Sequence, residues 1–298
     1  MSAFSDKNFD AHQYSSFRPT YPSELYEMLI RYHSKGNDGQ LNTILDLGCG
    51  PGEASIPLLR QCTGKIVATD LSSTMIEVAK TNFQKALTEL HLTNQPAVTV
   101  AVSPSEDVSS VLPEDGTVDL VVAAECVHWF QWDKWLTEMN RVLKEGGTLA
   151  YFAYCDPVFV GNSKMDEIYE RFTCESGELV GPYWQQPGRS RLRHLCKELN
   201  DIVLADGRFT DVRVEYYEPL KNPSKKEKMV IERNYTMEAF MKYVDTWSAS
   251  HRWNMAHNGK DENAAETFYK IVHQELGWTK QTEFPVSWKT MYVFARKL

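Results

Sequence analysis

No stretch of this 298-residue sequence reaches the roughly 20 consecutive apolar residues that a membrane-crossing helix needs. Cysteine is sparse and unpaired, with six residues at 49, 62, 126, 155, 174 and 196, no CxxC pair and no metal-ligand spacing. That pattern argues against a disulfide scaffold and a metal site, and a reducing, cytoplasmic setting is the expectation. Excess positive charge is lacking as well. A net charge of −8 leaves no basic footprint of the kind that supplies most nucleic-acid affinity. The basic stretch Lys221 to Lys228 contains Pro223 and no aromatic residue, and it reads as a solvated loop. The opening residues, Met1 to Asp10, have neither the basic flank nor the apolar centre of a secretory leader. Internal repeats and low-complexity segments are missing too. Membrane proteins and polyanion binders are therefore set aside, whereas a small anionic ligand needs only a few local arginines.

What is present is an ordinary globular composition, 42% hydrophobic and 24% charged, in a chain long enough for one large domain or a core with a cap. Residues 43 to 154 alternate short β-rich runs with helical periodicity, the texture of parallel βαβ units. Strands are expected at Thr43–Leu47, Ile66–Thr69, Val98–Val102, Leu120–Ala123 and Thr148–Tyr154. Helices fall after Gly52, from Ser72 or Ser73, and over about 133–143, the last one stopped by Gly146-Gly147. Pro57 shortens or kinks the first. Beyond Tyr154 the texture changes to helical stretches and a turn-rich aromatic segment at 181–188. Strands are then expected at Val212–Tyr217, Met229–Asn234 and Met291–Ala295, with helices near 236–248 and 261–276. A cap inserted into, or folded over, an open α/β core is the economical picture.

The segment Ile44-Leu45-Asp46-Leu47-Gly48-Cys49-Gly50-Pro51-Gly52 runs from an apolar strand through a glycine-rich turn into a helix. Glycines there let the backbone adopt positive φ and approach a ligand closely, and open parallel sheets bind ligands beyond the carboxyl ends of their strands. A dinucleotide fingerprint would read GxGxxG. Here the third glycine comes one residue early, and Asp46 precedes the first by two. A carboxylate beside a pyrophosphate is repulsive, but beside the ammonium of a bound amino acid, or a water near it, it is favourable. The expected ligand is S-adenosylmethionine rather than NAD. Asp70, ending the second strand, is placed to accept both ribose hydroxyls. Leu71 to Met75 offer helix-capping hydroxyls and an apolar side chain for adenine. Ser103 to Asp107 put polar groups where the adenine amine would sit.

The runs ILDLGCGPG, VATDLSSTMI, VDLVVAAECVHWF and RVLKEGGTLAYF resemble, in order, the motifs of class I S-adenosylmethionine-dependent methyltransferases. The N-terminal YSSFRPTYP, the segment GPYWQQPGRSRLR and TWSASHRW at 246–253 look like the fungal trans-aconitate methyltransferases. The resemblance spans about Tyr14 to Phe294. It implies an α/β, Rossmann-like, seven-stranded sheet with its last strand antiparallel, and a helical or mixed cap. On that pattern residues 1–42 form a segment covering the cofactor site, 43–155 the cofactor-binding core, and 156–298 a cap insertion with C-terminal strands completing the sheet. It also implies that Asp46, Gly48 and Gly50 line the methionine end, that Asp70 holds the ribose, and that Tyr14 and Arg18 close over the cofactor. Many relatives carry an acid where this chain has Pro104, so Ser105 or Glu106 must substitute at the adenine.

The implied reaction is methyl transfer to a carboxylate of a small polycarboxylic acid, trans-aconitate foremost, giving a monomethyl ester. A carboxylate is already ionised at pH 7 and needs no general base, so catalysis reduces to alignment and exclusion of water. Arginines suit such a substrate because the guanidinium fork matches a carboxylate. Arg189 and Arg193 could share a helix side with Arg191 pointing elsewhere, and Arg189 or Arg193, with or without Arg191, is the expected clamp. His128, beside Trp129, either hydrogen-bonds the reacting carboxylate or satisfies the fold. Glu125 either touches the methionine ammonium or caps its turn. Tyr183, Trp184 and Trp247 serve as pocket wall or cap core. The alternatives are another acceptor, such as an isopropylmalate-like or xenobiotic acid or an amine, and a fold that binds S-adenosylmethionine without turnover.

Overall fold

The computed structural model describes residues 16–35, 38–175, 178–221, 224–257 and 263–298. Five strands, β1 (Leu41–Leu47), β2 (Cys62–Asp70), β3 (Ala97–Val102), β4 (Val118–Ala124) and β5 (Leu143–Phe159), pair in parallel. Three more follow in the chain: β6 (Phe209–Tyr217), β7 (Glu232–Thr236) and β8 (Glu283–Lys297). The sheet order is β3-β2-β1-β4-β5-β8-β6, with β7 pairing only β8. β8 runs antiparallel to β5, β6 and β7. The order reverses at β1, flanked by β2 and β4, which opens a crevice beyond the carboxyl ends of these strands.

Strand alternation explains the layering. Ile44, Ile66, Leu120, Val122 and Phe152 face one hydrophobic cluster, together with Leu25 and Leu29 of α1 (Ser23–Ser34) and Phe83 of α2 (Ser73–Leu90). Leu45, Val67, Val121 and Tyr151, each one residue out of phase, face the other. There they meet Trp135 and Met139 of α3 (Trp132–Val142) and, after α4 (Ser163–Glu170) and α5 (Gly188–Arg193), Leu199 and Val203 of α6 (Lys197–Ala205). The first cluster continues through α4 into α7 (Met237–Asp245), α8 (Ser248–Ala256) and α9 (Ala264–Leu276), so residues after 155 share one core with the sheet.

The expected α/β sheet is present, with corrections. It has eight strands rather than seven, because the short β7 adds to the near end of β8. β7 lies a few residues later than Met229–Asn234, and Met229 and Ile231 are buried ahead of it. Gly146-Gly147 does not stop α3, which ends at Val142 as Leu143 turns extended; the glycine pair lies inside β5. The segment after Gly52 holds only one 3-10 turn, Ile56–Leu58, with Pro57 inside it. β5 and β8 run much longer than the apolar periodicity suggested, since they ladder along each other from Thr148–Arg296 to Phe159–Val286. That ladder is interrupted once. Its register shifts between Cys155 and Pro157, leaving Asp156 unpaired at φ 40°, a bulge that a proline lacking an N–H favours.

Lys221, Lys225 and Lys228 each pair with a carboxylate, of Glu218, Glu232 and Glu215 respectively. Among the described residues no helix is long and apolar enough to cross a membrane, and no three His, Cys, Asp or Glu side chains gather as metal ligands.

Candidate active site

β1 delivers its chain into the turn at Gly48 and Gly50, at φ 58° and 51°. A side chain at Gly48 would strike Cys126, whose Cβ lies 2.7 Å from a Cβ built there, so the turn packs against the loop after β4. At Gly50 a Cβ would meet no protein atom within 4 Å, because that position faces an open cleft. Its backbone N–H donates to Asp70 Oδ2 at 3.0 Å, and Asp70 Oδ1 accepts from Ser72 N at 2.8 Å. The carboxylate at the end of β2 therefore braces the glycine turn and the start of α2, where Ser72 is also the N-cap. Burial raises its pKa, and the backbone donors pull the other way.

The cleft has a volume of about 300 Å³. Gly48, Gly50 and Asp70 line its floor, Leu71, Met75 and Phe130 its apolar wall, and Ser105 and Glu106 its far end. Arg18, Glu125, Trp129 and Tyr154 close the near end. Leu71 is 67% exposed, a large apolar side chain held on the rim with nothing but the cleft to cover it. Glu106 also accepts from Gln131 N at 2.8 Å, which fixes its place in the lining.

Asp46 does not line the cleft, contrary to expectation. It is fully buried below the turn, accepting from Ser55 Oγ at 2.5 Å, with Oδ1 lacking a partner. Burial raises its pKa to about 7, Ser55 opposes and Asp70 adds to the rise. The strand phase that makes Asp46 point inward is that of Ile44, whose side chain belongs to the core.

A second, smaller cavity of about 60 Å³ adjoins the cleft, and Arg18, Glu125, Trp129 and Tyr154 line both. Glu125 sits at φ 58° in the turn leaving β4, and its Oε2 accepts from Tyr154 N at 2.9 Å. Desolvation raises its pKa to about 7, against the Tyr154 hydrogen bond and the charges of Arg18 and Arg189. His128 is buried, and its Nδ1 has no hydrogen-bond partner. Burial, then Arg189, Arg18 and Arg191, push its pKa down to about 3, so the imidazole is neutral at physiological pH and capable of one donated and one accepted hydrogen bond. Arg18 reaches the carbonyl of Thr246 at 3.2 Å and the hydroxyl of Tyr154 at 3.5 Å, with its guanidinium 5.6 Å from the Tyr243 ring centre. Arg233 of β7 holds the backbone leading into Arg18, donating to the carbonyl of Arg18 and to Thr20 Oγ1.

The cap supplies Arg189, buried behind Trp184, whose ring centre is 4.3 Å from the guanidinium. Its Nη2 bonds Asp156 Oδ1 at 2.5 Å and its Nη1 approaches Cys155 Sγ, while Nε is buried without a partner. Asp156 Oδ2 accepts from Arg193 Nε at 2.9 Å, and Tyr169 donates to Oδ1 at 3.2 Å. Burial would raise the Asp156 pKa, but Arg189, Arg193 and Lys289 hold it at about 2. The bulge in β5 is what turns this carboxylate toward the two arginines.

Of the three expected clamp arginines, only Arg189 lines the inner cavity. Arg193 shares its helix side, as the spacing suggested, but is engaged by Asp156 and both oxygens of Glu170. Arg191 lies flat over Trp132 at 3.9 Å. Trp184 and Trp247 line the cavity, whereas Tyr183 does not and instead faces the His257 ring at 6.1 Å. Tyr14 falls outside the described residues. Tyr154, Asp156, Tyr169 and Gln185 were not anticipated; the Asp-Pro step inside an apolar strand was the one available sign of the bulge that presents Asp156.

The strand order, the glycine turn and the carboxylate at the end of β2 define a class I methyltransferase fold. Residues 44–147 match the family described as methyltransferase domain, and the comparisons support S-adenosylmethionine-dependent methyl transfer, with S-adenosylmethionine as the cofactor. The probable S-adenosylmethionine-dependent methyltransferase CRG1 of Saccharomyces cerevisiae is 26% identical to it, covering 99% of this chain and 98% of that protein. Methyltransferase ptaI of Pestalotiopsis fici is 27% identical over 59% of this chain and 52% of its own length. A solved structure from Anaeromyxobacter dehalogenans assigned to the type II methyltransferases superposes with a TM-score of 0.61 at 23% identity, covering 94% of this chain and 98% of that one, which speaks for the fold.

Proposed function

We propose that this methyltransferase esterifies a carboxylate of a small polycarboxylic acid, with trans-aconitate as the first candidate. The observation that carries the reading is the inner cavity's electrostatics: a buried, neutral His128 with a free Nδ1, held in the positive field of Arg189, Arg18 and Arg191. Arg18 and Arg189 are the lining groups that attract a carboxylate, against the acids Glu125 and Asp156 that line the cavity too.

S-adenosylmethionine, when bound, supplies an electrophilic methyl group. Gly48 and Gly50 shape the floor of its cleft, and Asp70 braces that floor while facing the cleft with its carboxylate. Leu71 and Met75 give an apolar bed for adenine, with Ser105 and Glu106 at its polar edge. Asp46 acts from below, through Ser55 and the turn. Arg18, Glu125, Trp129 and Tyr154 stand where cleft and cavity meet, so the transfer takes place between them. His128 offers its imidazole to the acceptor and takes no proton, because a carboxylate is already the nucleophile at pH 7. Trp184 and Trp247 keep water out. At about 60 Å³ the cavity is much smaller than the cleft, and it takes the reacting end of the acid.

The test is incubation with methyl-labelled S-adenosylmethionine and trans-aconitate, cis-aconitate, citrate or isopropylmalate. Base-labile label appearing fastest with trans-aconitate supports the reading. Label on none of the acids, with cofactor binding intact, overturns it. A second reading rests on Glu125: a carboxyl with a pKa near 7 at the junction suits proton removal from a hydroxyl or amine acceptor. Base-stable label, with a rate rising through pH 7, would favour it.

A further inference from the structure

Behind the inner cavity lies an outer one of about 400 Å³ that the methyl-transfer chemistry leaves unused. Asp156, Trp184 and Arg189 form the partition, since they line both. Arg193, His194 and Lys289 line the outer side alone.

The lining of this cavity carries more cations than acids. Arg189 and Arg193 share Asp156, and Arg193 also takes Glu170. The side chain of Lys289, half-buried on β8 beside the bulge, makes no hydrogen bond or ion pair among the described residues, although its charge acts on Asp156, Asp166 and Glu218. Among the described residues the lining holds three cations and one acid, Asp156; Glu170 on Arg193, and Asp166 and Glu218 in the field of Lys289, stand outside it. The buried Nε of Arg189, unpartnered in the partition, is a second sign of unmet demand for an acceptor. A buried donor without an acceptor is costly, and a ligand oxygen would answer it.

We infer that the outer cavity is a second anion site, built on Lys289 and Arg193, for a small carboxylate or phosphate ligand. The ammonium of Lys289 contacts the anion directly, and the guanidinium of Arg193, fixed by Asp156 and Glu170, supplies field rather than a fork. Because the same Asp156 holds Arg189, an occupant here is coupled to the acceptor pocket through one carboxylate. The site does not depend on which acid is methylated.

The test is calorimetric titration of the full chain with citrate and, separately, inorganic phosphate in chloride-free buffer. Wild type is expected to bind at least one of them, with Lys289→Gln weakening that binding about tenfold and Lys289→Arg retaining it. His128→Gln, which alters only the inner cavity, should leave this component unchanged. Citrate binding alone assigns the site to carboxylates, and phosphate binding alone to phosphates. No heat with either anion overturns the inference. So does an affinity that Lys289→Gln leaves intact, or one that His128→Gln abolishes. Failure of every acid to accept a methyl group would leave these titrations untouched.

Discussion

The cofactor cleft and the inner cavity share four residues and differ in almost everything else. The cleft is built at the end of parallel strands from backbone and neighbouring residues: Gly48 and Gly50 in one turn, Asp70, Leu71 and Ser72 in the next. Burial raises the pKa values of Asp70 and Glu125, which line it, and of Asp46 beneath its floor. The cavity is built from side chains brought together by the cap: Arg18, His128, Tyr169, Trp184, Arg189 and Trp247. Arg189 and Arg193 hold Asp156 at about 2 against the effect of burial, while burial, and then the arginine charges, push His128 down to about 3. A strand-turn-helix can make a ligand site from one contiguous stretch. A pocket that must choose its acceptor needs fixed charge from several elements, and each charge needs its own support.

This division would break most visibly at Arg189. Replacing it with alanine leaves Asp156 buried with one cation fewer, and unfolding free energy should fall by about 3 kcal/mol in a denaturant titration. With Arg189→Lys, which keeps a charge, KM for the acid should rise about tenfold while KM for S-adenosylmethionine stays near wild type. Equal changes in both would mean that the two regions are not separable.

His128 offers a sharper test at smaller magnitude. Its folded pKa lies below the ordinary 6.5, so neutral imidazole stabilises the fold above pH 6.5, and that contribution is lost as pH falls toward about 3. At pH 5 the loss amounts to about 2 kcal/mol. Thermal unfolding of His128→Gln should therefore be more stable than wild type at pH 5 and similar at pH 8. Matching pH dependences would show that His128 is not held neutral.

The smallest effect is expected at the seam between the regions. A Cβ on Gly188 would come within 2.3 Å of Trp129 Cζ3, so Gly188→Ala must displace the indole that lines both spaces. kcat/KM for the acid should drop about tenfold through misalignment, and the fold should survive. An unchanged value would remove Trp129 from the alignment of donor and acceptor.

The same difference explains what could be read in advance. The run from Ile44 to Gly52 and the acid at Asp70 announce their structure because the ligand contacts lie within a few residues of each other. Even there phase mattered: Asp46 shares the inward face with Ile44, and sequence alone placed it at the ligand rather than beneath it. In the cap, spacing correctly put Arg189 and Arg193 on one side of a helix. It did not reveal that Asp156, some 33 residues earlier, claims both. That partnership depends on a bulge, and the bulge on how β5 ladders with β8, a contact between segments well over a hundred residues apart. Tyr183 and Trp184 are adjacent, aromatic and equivalent in pattern. Only packing sends one to the cavity and the other toward His257.

β8 lies between β5 and β6 and also carries β7. As the chain leaves the ribosome, β1 to β5 can pair in order of synthesis, whereas β6 and β7 must wait for residues 283–297 to reach the sheet. Until then Arg233 has no strand to stand on, and the backbone at Arg18 and Thr20 has no clasp. The strands that carry the glycine turn pair without β8, whereas the clasp on Arg18 rests on a strand that β8 alone holds among the described residues.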